Sequence, residues 1–466
     1  RTLSGGEVQR IHLATSLGSA LVDTLYVLDE PSVGLHERDN HLLIRLLEEL
    51  RDLGNTVAVV EHDRTMIEAA DEVIDLGPGG GEKGGRLLFQ GPVANLGRAP
   101  HSLTGEYLAG KREVKRRFLN KKAPDRKIRI LGASEHNLKK IDVDIPLRRL
   151  VVLTGVSGSG KSTLLYEVLY RNYLRHSGRR VQDIGKVDSV EGFEGIDDVV
   201  LVDQTPIGRS PRSNPVTYIK AFDEVRKVFA RTAAARRQGF HSGFFSFNVD
   251  GGRCETCKGD GRIKVEMHFL ADVFVVCEVC QGRRFKPEIL EIRYRGKNMD
   301  DVLSMTVAES LAFFGEEKNL VEKLALLDRV GLGYLRLGQS ATTLSGGEAQ
   351  RLKLASEMAE RRAKHILYLF DEPTTGLHYH DIHYLLEALD QLLEQGHSIV
   401  VIEHNMEVIR SADHIIDLGP EGGDFGGMVI YQGLLNGILD THNSHTGKYL
   451  KQHLARIKSS PPVASS

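Results

Sequence analysis

The sequence predicts an α/β fold made of two related lobes, with a metal-binding module inserted into the second. Three observations support this prediction. A glycine-rich loop near residue 155 lies between an apolar, strand-like run and a helix-compatible segment. Several short motifs recur along the chain at one constant offset. The four cysteines of the chain form two C-x-x-C pairs.

The glycine-rich loop predicts phosphate binding. Gly155 to Ser162 fits the pattern G-x-x-x-x-G-K-[ST], directly after Val151 to Leu153 and before a helix-compatible segment from Leu164 to Arg171. In this pattern backbone N–H groups surround phosphate oxygens, the lysine contacts the β- and γ-phosphates and the hydroxyl binds Mg²⁺. The residues expected to hold ATP are Gly155, Ser157, Gly158, Gly160, Lys161, Ser162 and Thr163.

The repeat predicts a duplicated domain. Asp29-Glu30 corresponds to Asp371-Glu372, an offset of 342 (371 − 29), and His62 has the same relation to His404. A T-L-S-G-G-E motif begins at Thr2 and again at Thr343, each with the S-x-x-E spacing of a helix-capping box. The phosphate loop occurs in the second copy alone. Because the first residue is Arg1 and a motif begins at Thr2, we expect the chain to start within a domain.

The cysteine pairs predict a zinc site. Cys254 and Cys257 are separated from Cys277 and Cys280 by 19 residues (277 − 257 − 1), which fits a four-thiolate zinc module. Four thiolates complete a tetrahedron and leave no open position, so a structural site is expected. An iron–sulfur cluster and free thiols are the alternatives. Cysteines that bind a metal and do not form disulfides also indicate a reducing, cytoplasmic location.

Composition limits the remaining function classes. The 466 residues are enough for two to four domains, and the net charge of −2 does not mark a globally basic nucleic-acid binder. DNA contacts would therefore have to come from local basic patches. The sequence has no apolar run of membrane-spanning length and no signal peptide, so no membrane association is expected.

Taken together, the motifs resemble those of the ATP-binding-cassette (ABC) ATPases. The segment from Val202 to Pro215 and the cysteine module narrow the resemblance to the UvrA family, the damage-sensing subunits of bacterial excinucleases. The resemblance implies duplicated ABC-type P-loop ATPase lobes with a helical signature subdomain and a zinc-binding insertion. The sequence lacks the amino-terminal part of the family, which carries the first phosphate loop, the first zinc module and the UvrB-interaction region.

The resemblance also implies roles for the ATP-site residues. Asp371 would hold Mg²⁺ with Ser162, Glu372 would polarise the attacking water, and Gln204 and His404 would be the loop glutamine and switch histidine. The first signature, Ser4, Gly5 and Gly6, would complete the site at the phosphate loop. A second, incomplete site would consist of Asp29, Glu30, His62, Ser345, Gly346 and Gly347. We therefore expect at most one complete ATP site per chain.

The function implied is ATP-controlled recognition of damaged duplex DNA, with hand-over to a UvrB-type partner and a homodimer in the full-length family. The sequence has no nuclease motif. The alternatives are a related ATPase serving drug resistance, and a truncated chain that binds zinc and DNA without turning over ATP. A steady-state ATPase assay separates the last of these from the others.

Basic residues around the cysteines predict a DNA surface, with a solvated face as the alternative. The expected DNA contacts are Lys258, Arg262, Arg283 and Arg284. The phenylalanines between residues 240 and 247 are expected to form a small core, with base stacking as the alternative. The basic stretch 111–129 is expected to be a solvated linker, with a DNA-phosphate contact as the alternative.

The predicted domain order follows from these assignments. It comprises a part of the first lobe at 1–110, the linker at 111–129, the second lobe's phosphate loop and loop glutamine at 130–215, the zinc-bearing insertion at 216–340, the rest of the second lobe at 341–455 and a disordered tail at 456–466.

Overall fold

The chain divides into two units, one of which is interrupted in sequence by the other. The computed structural model describes residues 22–79, 84–114, 116, 126–203, 205, 207–208, 212–267, 273–359 and 365–459. One unit is drawn from residues 1–204 and 362–466 and contains both copies of the repeat except for the second signature helix. The other spans 205–361, so it is longer than the predicted insertion and includes the second signature helix.

The second copy is built on a six-stranded, mostly parallel sheet. Its strand order is β15-β14-β7-β13-β12-β9, with β15 the one antiparallel strand. The strands are β7 Leu150–Gly155, β9 Asp198–Val202, β12 Ile366–Asp371, β13 Ser398–Ile402, β14 His414–Gly419 and β15 Met428–Gly433. A smaller antiparallel sheet in the order β6-β5-β8 lies in the same copy, with β5 Lys127–Ala133, β6 Ile141–Pro146 and β8 Ser189–Glu191.

Helices accompany these strands. A π-helix at Thr163–Tyr170 follows the glycine-rich loop and continues as α5 Arg171–His176, which agrees with the helical segment predicted there. The remaining helices of the copy are α14 Tyr379–Glu394, α15 Met406–Arg410, a 3₁₀ turn at Gly423–Phe425, α16 Leu435–Ile438 and α17 His445–Ser459. Leu385, Leu389 and Leu392 form a buried stripe on α14 at helical spacing, which is why this segment packs as an amphipathic helix.

The first copy repeats several of these elements, but its described residues include no strand at the central position. Its strands form two separate pairs, β1 Leu25–Asp29 with β2 Thr56–Val60, and β3 Val73–Gly77 with β4 Arg86–Gly91. Its helices are α1 Glu37–Asp52, α2 Arg64–Ala69, α3 Val93–Leu96 and α4 Leu103–Leu108. In the second copy β7 lies between the corresponding pairs, and no described strand occupies that place in the first.

The duplication extends to strand register. Leu25 faces Thr56 in β1 and β2, and Leu367 faces Ser398 in β12 and β13, one repeat later. The irregularity between Asp75 and Leu76 in β3 likewise recurs in β14. This identity of register supports the predicted domain duplication at the level of backbone pairing.

The two copies differ in how well their strands are covered. Leu25 is 62% exposed, whereas Leu367, its counterpart in the repeat, is 0% exposed. Leu76 is 63% exposed and its counterpart Leu418 is 1% exposed. The difference arises because β7, the sheet β6-β5-β8 and the π-helix bury the second copy, while the described part of the first copy has no equivalents.

The smaller unit combines short helices with a two-stranded hairpin. The hairpin pairs β10 Arg262–Val265 with β11 Val273–Val276 in antiparallel register. The helices are α6 Pro215–Tyr218, α7 Phe222–Ala230, α8 Ala233–Arg237, α9 Pro287–Leu290, α10 Met299–Ser304, α11 Val307–Phe313, α12 Lys318–Arg329, a 3₁₀ turn at Ala341–Thr343 and α13 Gly346–Ala359. Ser345 and Glu348 form the predicted capping box at the start of α13, through reciprocal bonds of 2.8 and 3.2 Å.

Two predicted boundaries are wrong. The stretch 111–129 is not a fully solvated linker, because β5 begins at Lys127 and the Arg116 side chain is only 2% exposed. Arg116 pairs with Asp390 and Asp413, since a buried guanidinium requires carboxylate partners. The predicted tail also begins too early, because α17 continues to Ser459.

Within the described part of the chain, no helix has both the length and the apolar character of a membrane span.

Candidate nucleotide site and metal centre

The glycine-rich loop begins at the end of a fully buried strand. Gly155 (φ 135°), Gly158 (φ 74°) and Gly160 (φ 101°) all have backbone conformations that side chains rarely adopt. At Gly155 a Cβ atom would lie 2.0 Å from the Leu418 carbonyl oxygen, so glycine is also required there by close packing. The conformation of the loop therefore depends on glycine at these positions.

The side chain of Lys161 lies against the start of this loop. Its Nζ donates to the carbonyl oxygens of Gly155 (3.0 Å) and Val156 (2.9 Å), and burial lowers the pKa of Lys161 to about 8. The buried hydroxyl of Ser159 has no hydrogen-bond partner among the described residues. Ser162, which begins the π-helix, does not use its hydroxyl as a cap. A lysine close to the loop, an unpartnered hydroxyl and an unused hydroxyl together fit phosphate and Mg²⁺.

Asp371, the predicted Mg²⁺ ligand, ends strand β12, and Glu372, predicted to polarise water, follows it. Tyr166 on the π-helix donates its hydroxyl to Asp371 Oδ2 at 2.8 Å. Burial raises the pKa of Asp371 to about 6, with the Glu372 carboxylate adding to the effect. A divalent cation would favour the ionised form of Asp371, so the carboxyl is suited to a Mg²⁺ ligand.

Glu372 and His404, for which the sequence predicts separate roles, lie side by side. His404 Nε2 lies 3.4 Å from Glu372 Oε1. Burial raises the pKa of Glu372, but His404 and Lys161 outweigh this effect and leave the pKa below its ordinary value. The other ring nitrogen, Nδ1 of His404, is buried without a partner among the described residues. Glu372 also has a strained left-handed backbone (φ 47°), a feature that is frequent at functional sites.

The first copy holds the same pair in weaker form. His62 Nε2 lies 3.7 Å from Glu30 Oε1, and Glu30 has φ 45°. Burial raises the pKa of Glu30, in contrast to Glu372. Asp29 is exposed. No described residue supplies a phosphate-loop lysine here, so the charge that favours the ionised form of Glu372 has no counterpart.

The two copies meet at a cleft lined by these pairs. A Cβ atom at Gly34 of the first copy would lie 3.2 Å from Glu372 Oε2, and one at Gly376 would lie 2.9 Å from Glu30 Oε2. Glu30 and Glu372 are each thus packed against the loop that follows the Asp-Glu pair of the other copy. The cleft is lined by residues of both copies, including Glu30, His62, Glu372 and His404.

Several predicted site residues lie outside the described part of the chain. Ser4, Gly5, Gly6 and Gln204 belong to this group, so their predicted roles stay predictions. Ser345, Gly346 and Gly347 start helix α13 in the smaller unit.

The sequence interpretation missed the contacts around His36. His36 and its counterpart His378 begin helices α1 and α14, and each contacts a threonine of the other copy. Both histidines and both threonines recur at the offset of the repeat, which is the signal that could have found them.

The four cysteines form one buried cluster. One sulfur atom from each of Cys254, Cys257, Cys277 and Cys280 lies within 4.8 Å of all the others, and the Cys257 and Cys280 sulfur atoms are 3.6 Å apart. Tetrahedral zinc–thiolate bonds of about 2.3 Å place sulfur atoms roughly 3.8 Å apart. The donor set and its spacing therefore fit zinc.

The turn after each cysteine pair has the same form. Lys258 and Gln281 both have φ 50°, and the glycine that follows each has φ above 80°. The Gly261 N–H points at Cys257 Sγ at 3.2 Å. Burial raises the pKa of Cys257 to about 12. Metal binding at this thiol therefore requires proton release.

The predicted DNA-contact residues near the cysteines differ in exposure. Lys258, Arg262 and Arg283 are exposed. Arg284 instead lies over the Phe247 ring at 5.3 Å and donates to the Gly338 carbonyl oxygen at 3.1 Å. These are the contacts of a packing residue, and a DNA contact at Arg284 stays a prediction.

The phenylalanines largely form the small core that the sequence predicted. Phe245 and Phe247 are 0% exposed, and Phe222 packs against Phe247 with ring centroids 4.8 Å apart. Phe240 and Phe244 are half-buried and pack against each other. The two buried rings therefore pack in the core and are not free to stack on bases.

The glycine-rich loop, Lys161, the acidic strand end and the histidine define an ABC-type P-loop ATPase lobe. Comparison with known proteins agrees with this class and narrows it. UvrABC system protein A of Aquifex aeolicus (strain VF5) is 55% identical over 455 residues, covering 98% of this chain and 49% of the relative. The protein of the same name from Staphylococcus aureus (strain COL) is 54% identical over 457 residues, covering 98% of this chain and 48% of the relative.

Solved structures give the same result. The crystal structure of UvrA2 from Deinococcus radiodurans matches with a TM-score of 0.90 at 45% identity, over 97% of this chain and 55% of that chain. An archaeal ribosome-bound ABCE1 structure, at 17% identity and a TM-score of 0.52, matches the fold alone. No family model matches the chain. The chain belongs to the UvrA family, and it spans about half the length of the curated relatives it matches.

Proposed function

We propose that this chain is the ATP-binding part of a UvrA-type DNA-damage recognition ATPase. ATP would bind at Gly155–Ser162, with its phosphates on the loop amides and Lys161. Ser162 and Asp371 would hold Mg²⁺, which neutralises phosphate charge when bound. The observation that carries the proposal is the pairing of Glu372 with His404 beside a phosphate-loop lysine.

The chemical roles follow from the protonation states. Glu372 is kept ionised at neutral pH, so its carboxylate can accept a hydrogen bond from an attacking water and orient it. His404, whose Nδ1 has no partner among the described residues, would contact the γ-phosphate, and Gln204 would complete the contacts to Mg²⁺ or water. Ser4, Gly5 and Gly6 of the first copy would close the site over the nucleotide.

ATP turnover by matched variants tests this assignment. Glu372→Gln should lower kcat by about 100-fold or more while leaving ATP affinity nearly unchanged, because the amide cannot polarise water as a carboxylate does. Glu30→Gln, the same change in the first copy, is the control and should have a much smaller effect. Equal losses in the two variants would overturn the assignment of the active site to the second copy.

Zinc and DNA binding would belong to the smaller unit. The four cysteines would hold one structural Zn²⁺, and the exposed Lys258, Arg262 and Arg283 would contact DNA phosphates. ATP binding and hydrolysis would control the grip on damaged duplex DNA and its hand-over to a UvrB-type partner, within a homodimer in the cytoplasm.

Arg283 and Arg284 provide a matched test of the DNA surface. Arg283→Glu should weaken DNA binding and flatten its salt dependence, because a phosphate contact is lost. Arg284→Ala should lower the melting temperature of the protein and change the salt slope little, since Arg284 packs on Phe247. If Arg283→Glu binds DNA as the unaltered chain does, Arg283 is not part of the surface.

A second candidate is a chain that binds zinc and DNA without ATP turnover. The exposed strand faces of the first copy favour it, because Leu25 and Leu76 have no cover among the described residues. Steady-state ATPase activity that is abolished by Glu372→Gln would exclude this candidate. A related drug-resistance ATPase would be distinguished by tighter binding to drug-loaded than to damaged DNA.

A further inference from the structure

A second glycine-rich loop lies beside the phosphate loop. It connects β14 to β15, spans residues 420–427 and contains four glycines; we call it the β14–β15 loop. β14 runs parallel to β7, and Leu418 faces Gly155. Because the carboxyl ends of parallel strands meet at one edge of a sheet, the β14–β15 loop emerges next to the phosphate loop.

The β14–β15 loop donates hydrogen bonds to the phosphate loop. The Gly423 N–H donates to the Gly158 carbonyl oxygen at 3.0 Å, and the Gly427 N–H donates to the Ser159 carbonyl oxygen at 3.2 Å. Two successive carbonyl groups of the phosphate loop are therefore held by backbone amides of another segment.

Asn137 joins the two loops through its side chain. It lies in the connection between β5 and β6, and its Nδ2 donates to the carbonyl oxygens of Gly158 (2.9 Å) and Gly423 (3.2 Å). The backbone beside it is attached to the same loop, because the Lys139 N–H donates to the Gly427 carbonyl oxygen at 2.9 Å. One side-chain amide thus bonds both glycine-rich loops at once.

The close approach of these backbones requires glycine. A Cβ atom at Gly422 would lie 2.5 Å from the Ser157 carbonyl oxygen, and one at Gly427 would lie 1.9 Å from the Asn137 carbonyl oxygen. A side chain at either position would therefore push the segments apart.

The first copy contains the same loop in sequence. Gly84-Gly85 corresponds to Gly426-Gly427 at the offset of the repeat, and Gly85 has φ 72° where Gly427 has φ 77°. A Cβ atom at Gly85, however, would have no atom within 4 Å. No described residue of the first copy forms a phosphate loop beside it, so the crowding at Gly427 comes from its contact with the segment of Asn137 and not from the turn itself.

The contact at Ser159 fixes the direction of the next amide. In a trans peptide the C=O and N–H groups point to opposite sides. The Ser159 carbonyl points toward Gly427, so the Gly160 N–H points to the opposite side, away from the β14–β15 loop.

We propose that the β14–β15 loop and Asn137 position the phosphate loop for phosphate binding. Gly423, Gly427 and Asn137 hold two carbonyl groups on one side, and the Gly160 N–H is directed at a phosphate oxygen before the nucleotide arrives. A donor that is already oriented binds more tightly, because less ordering accompanies binding. The inference rests on the proposed function for the identity of the ligand, a nucleoside triphosphate.

Two variants separate positioning from general stability. Asn137→Ala removes the side-chain donor and leaves both glycine-rich loops unchanged in sequence. Gly427→Ala places a methyl group against the Asn137 carbonyl oxygen. Gly85→Ala is the matched control for Gly427→Ala, because it adds the same group at the equivalent position and at a similar φ, where there is space.

Hydrogen exchange of the full chain without nucleotide tests the contact between the loops, and it does not depend on the proposed function. In Asn137→Ala the amides of Gly423 and Gly427 should exchange about tenfold faster, because local opening becomes easier when a shared hydrogen bond is lost. Gly85→Ala should leave both amides as they are in the unaltered chain. Unchanged exchange at these amides in Asn137→Ala would overturn the proposal, and this variant decides alone if Gly427→Ala does not fold.

Calorimetric titration with a non-hydrolysable ATP analogue tests the consequence for binding. Asn137→Ala and Gly427→Ala should each bind the analogue about tenfold more weakly than Gly85→Ala does, and the melting temperature of Asn137→Ala should stay close to that of the unaltered chain. Unaltered affinity in Asn137→Ala, or equal losses in Gly427→Ala and Gly85→Ala, would overturn the positioning role. If the unaltered chain does not bind the analogue, the proposed function fails and the positioning role with it, whereas the exchange result still decides whether the two loops are joined.

Discussion

Glu372 of the second copy packs against Gly34 of the first, where a Cβ atom would lie 3.2 Å from Oε2 of the carboxylate. Glu372 also faces His404 at 3.4 Å. The carboxylate that we assign to water activation is therefore positioned by residues from both copies. The equivalent contact, between Glu30 and Gly376, has the same packing. No described residue of the first copy forms a phosphate loop beside it.

The contact at Gly34 can be tested by adding one methyl group. Gly34→Ala should lower kcat by about tenfold or more, because the new Cβ displaces the carboxylate of Glu372. The measurement is steady-state ATP turnover.

Gly54→Ala is the matched control. Gly54 also has a positive φ (89°), but no atom lies within 4 Å of the position that its Cβ would take. Both alanines should cost about 1–2 kcal/mol of stability for the left-handed backbone. If Gly54→Ala reduces kcat as much as Gly34→Ala does, backbone strain and not displacement of Glu372 accounts for the loss.

Metal removal should affect the smaller unit selectively. Cys280→Ser should reduce zinc from one ion per chain to less than about half, and should lower the melting temperature, because a structural site contributes folding free energy. Elemental analysis and thermal unfolding are the measurements. ATP affinity should be unaltered, since the phosphate loop belongs to the other unit. Full zinc occupancy in Cys280→Ser would contradict the four-thiolate site.

Acid should destabilise the protein through its buried histidines. Burial lowers the pKa of His378 to about 4, so the unfolded chain binds this proton more readily than the folded chain. The stability contributed by the neutral ring is complete above pH ~6.5, the unfolded value, and is lost as the pH falls toward 4. For this one residue the loss at pH 5 is about 2 kcal/mol.

His378→Asn tests the pH dependence directly. Asparagine is a good N-cap but has no proton to gain in this range, so the variant should lose less stability between pH 7.5 and pH 5. Denaturant midpoints at the two pH values are the measurement. His442→Asn, at an exposed histidine, should behave as the unaltered chain does. An unchanged pH dependence in His378→Asn would contradict the assigned role of burial.

The unequal cover of the two copies predicts unequal costs for the same substitution. Leu367→Ala should destabilise the protein by about 3 kcal/mol, because it opens a cavity in a buried strand. Leu25→Ala, at the equivalent exposed position, should cost little and should reduce self-association. Thermal unfolding and light scattering measure the two effects. Equal destabilisation would mean that the face of Leu25 is covered.

Much of the fold could be predicted from sequence because the repeat carries it. The motif around Gly155 indicated strand, loop and helix, and the offset between Asp29 and Asp371 indicated a duplicated domain. The spacing of the cysteines likewise indicated one metal cluster. Local patterns sufficed for these features because each depends on residues close together in the chain.

The remaining features depend on contacts between distant segments. The burial of Arg116 could not be read from a basic stretch, because its partners Asp390 and Asp413 lie far along the chain. Arg284 looked like its exposed neighbour Arg283 until its packing on Phe247 was seen. His36 carried no recognisable motif chemistry, and only the meeting of the two copies brings it to Thr446.

The number of nucleotides bound per chain tests the central claim most directly. Calorimetric titration of the full chain with Mg²⁺ and a non-hydrolysable ATP analogue should give one tight site, and Lys161→Ala should abolish it, because Lys161 is the phosphate-loop lysine of the described residues. Two tight sites per chain, or tight binding that survives Lys161→Ala, would contradict a single nucleotide site at Gly155–Ser162.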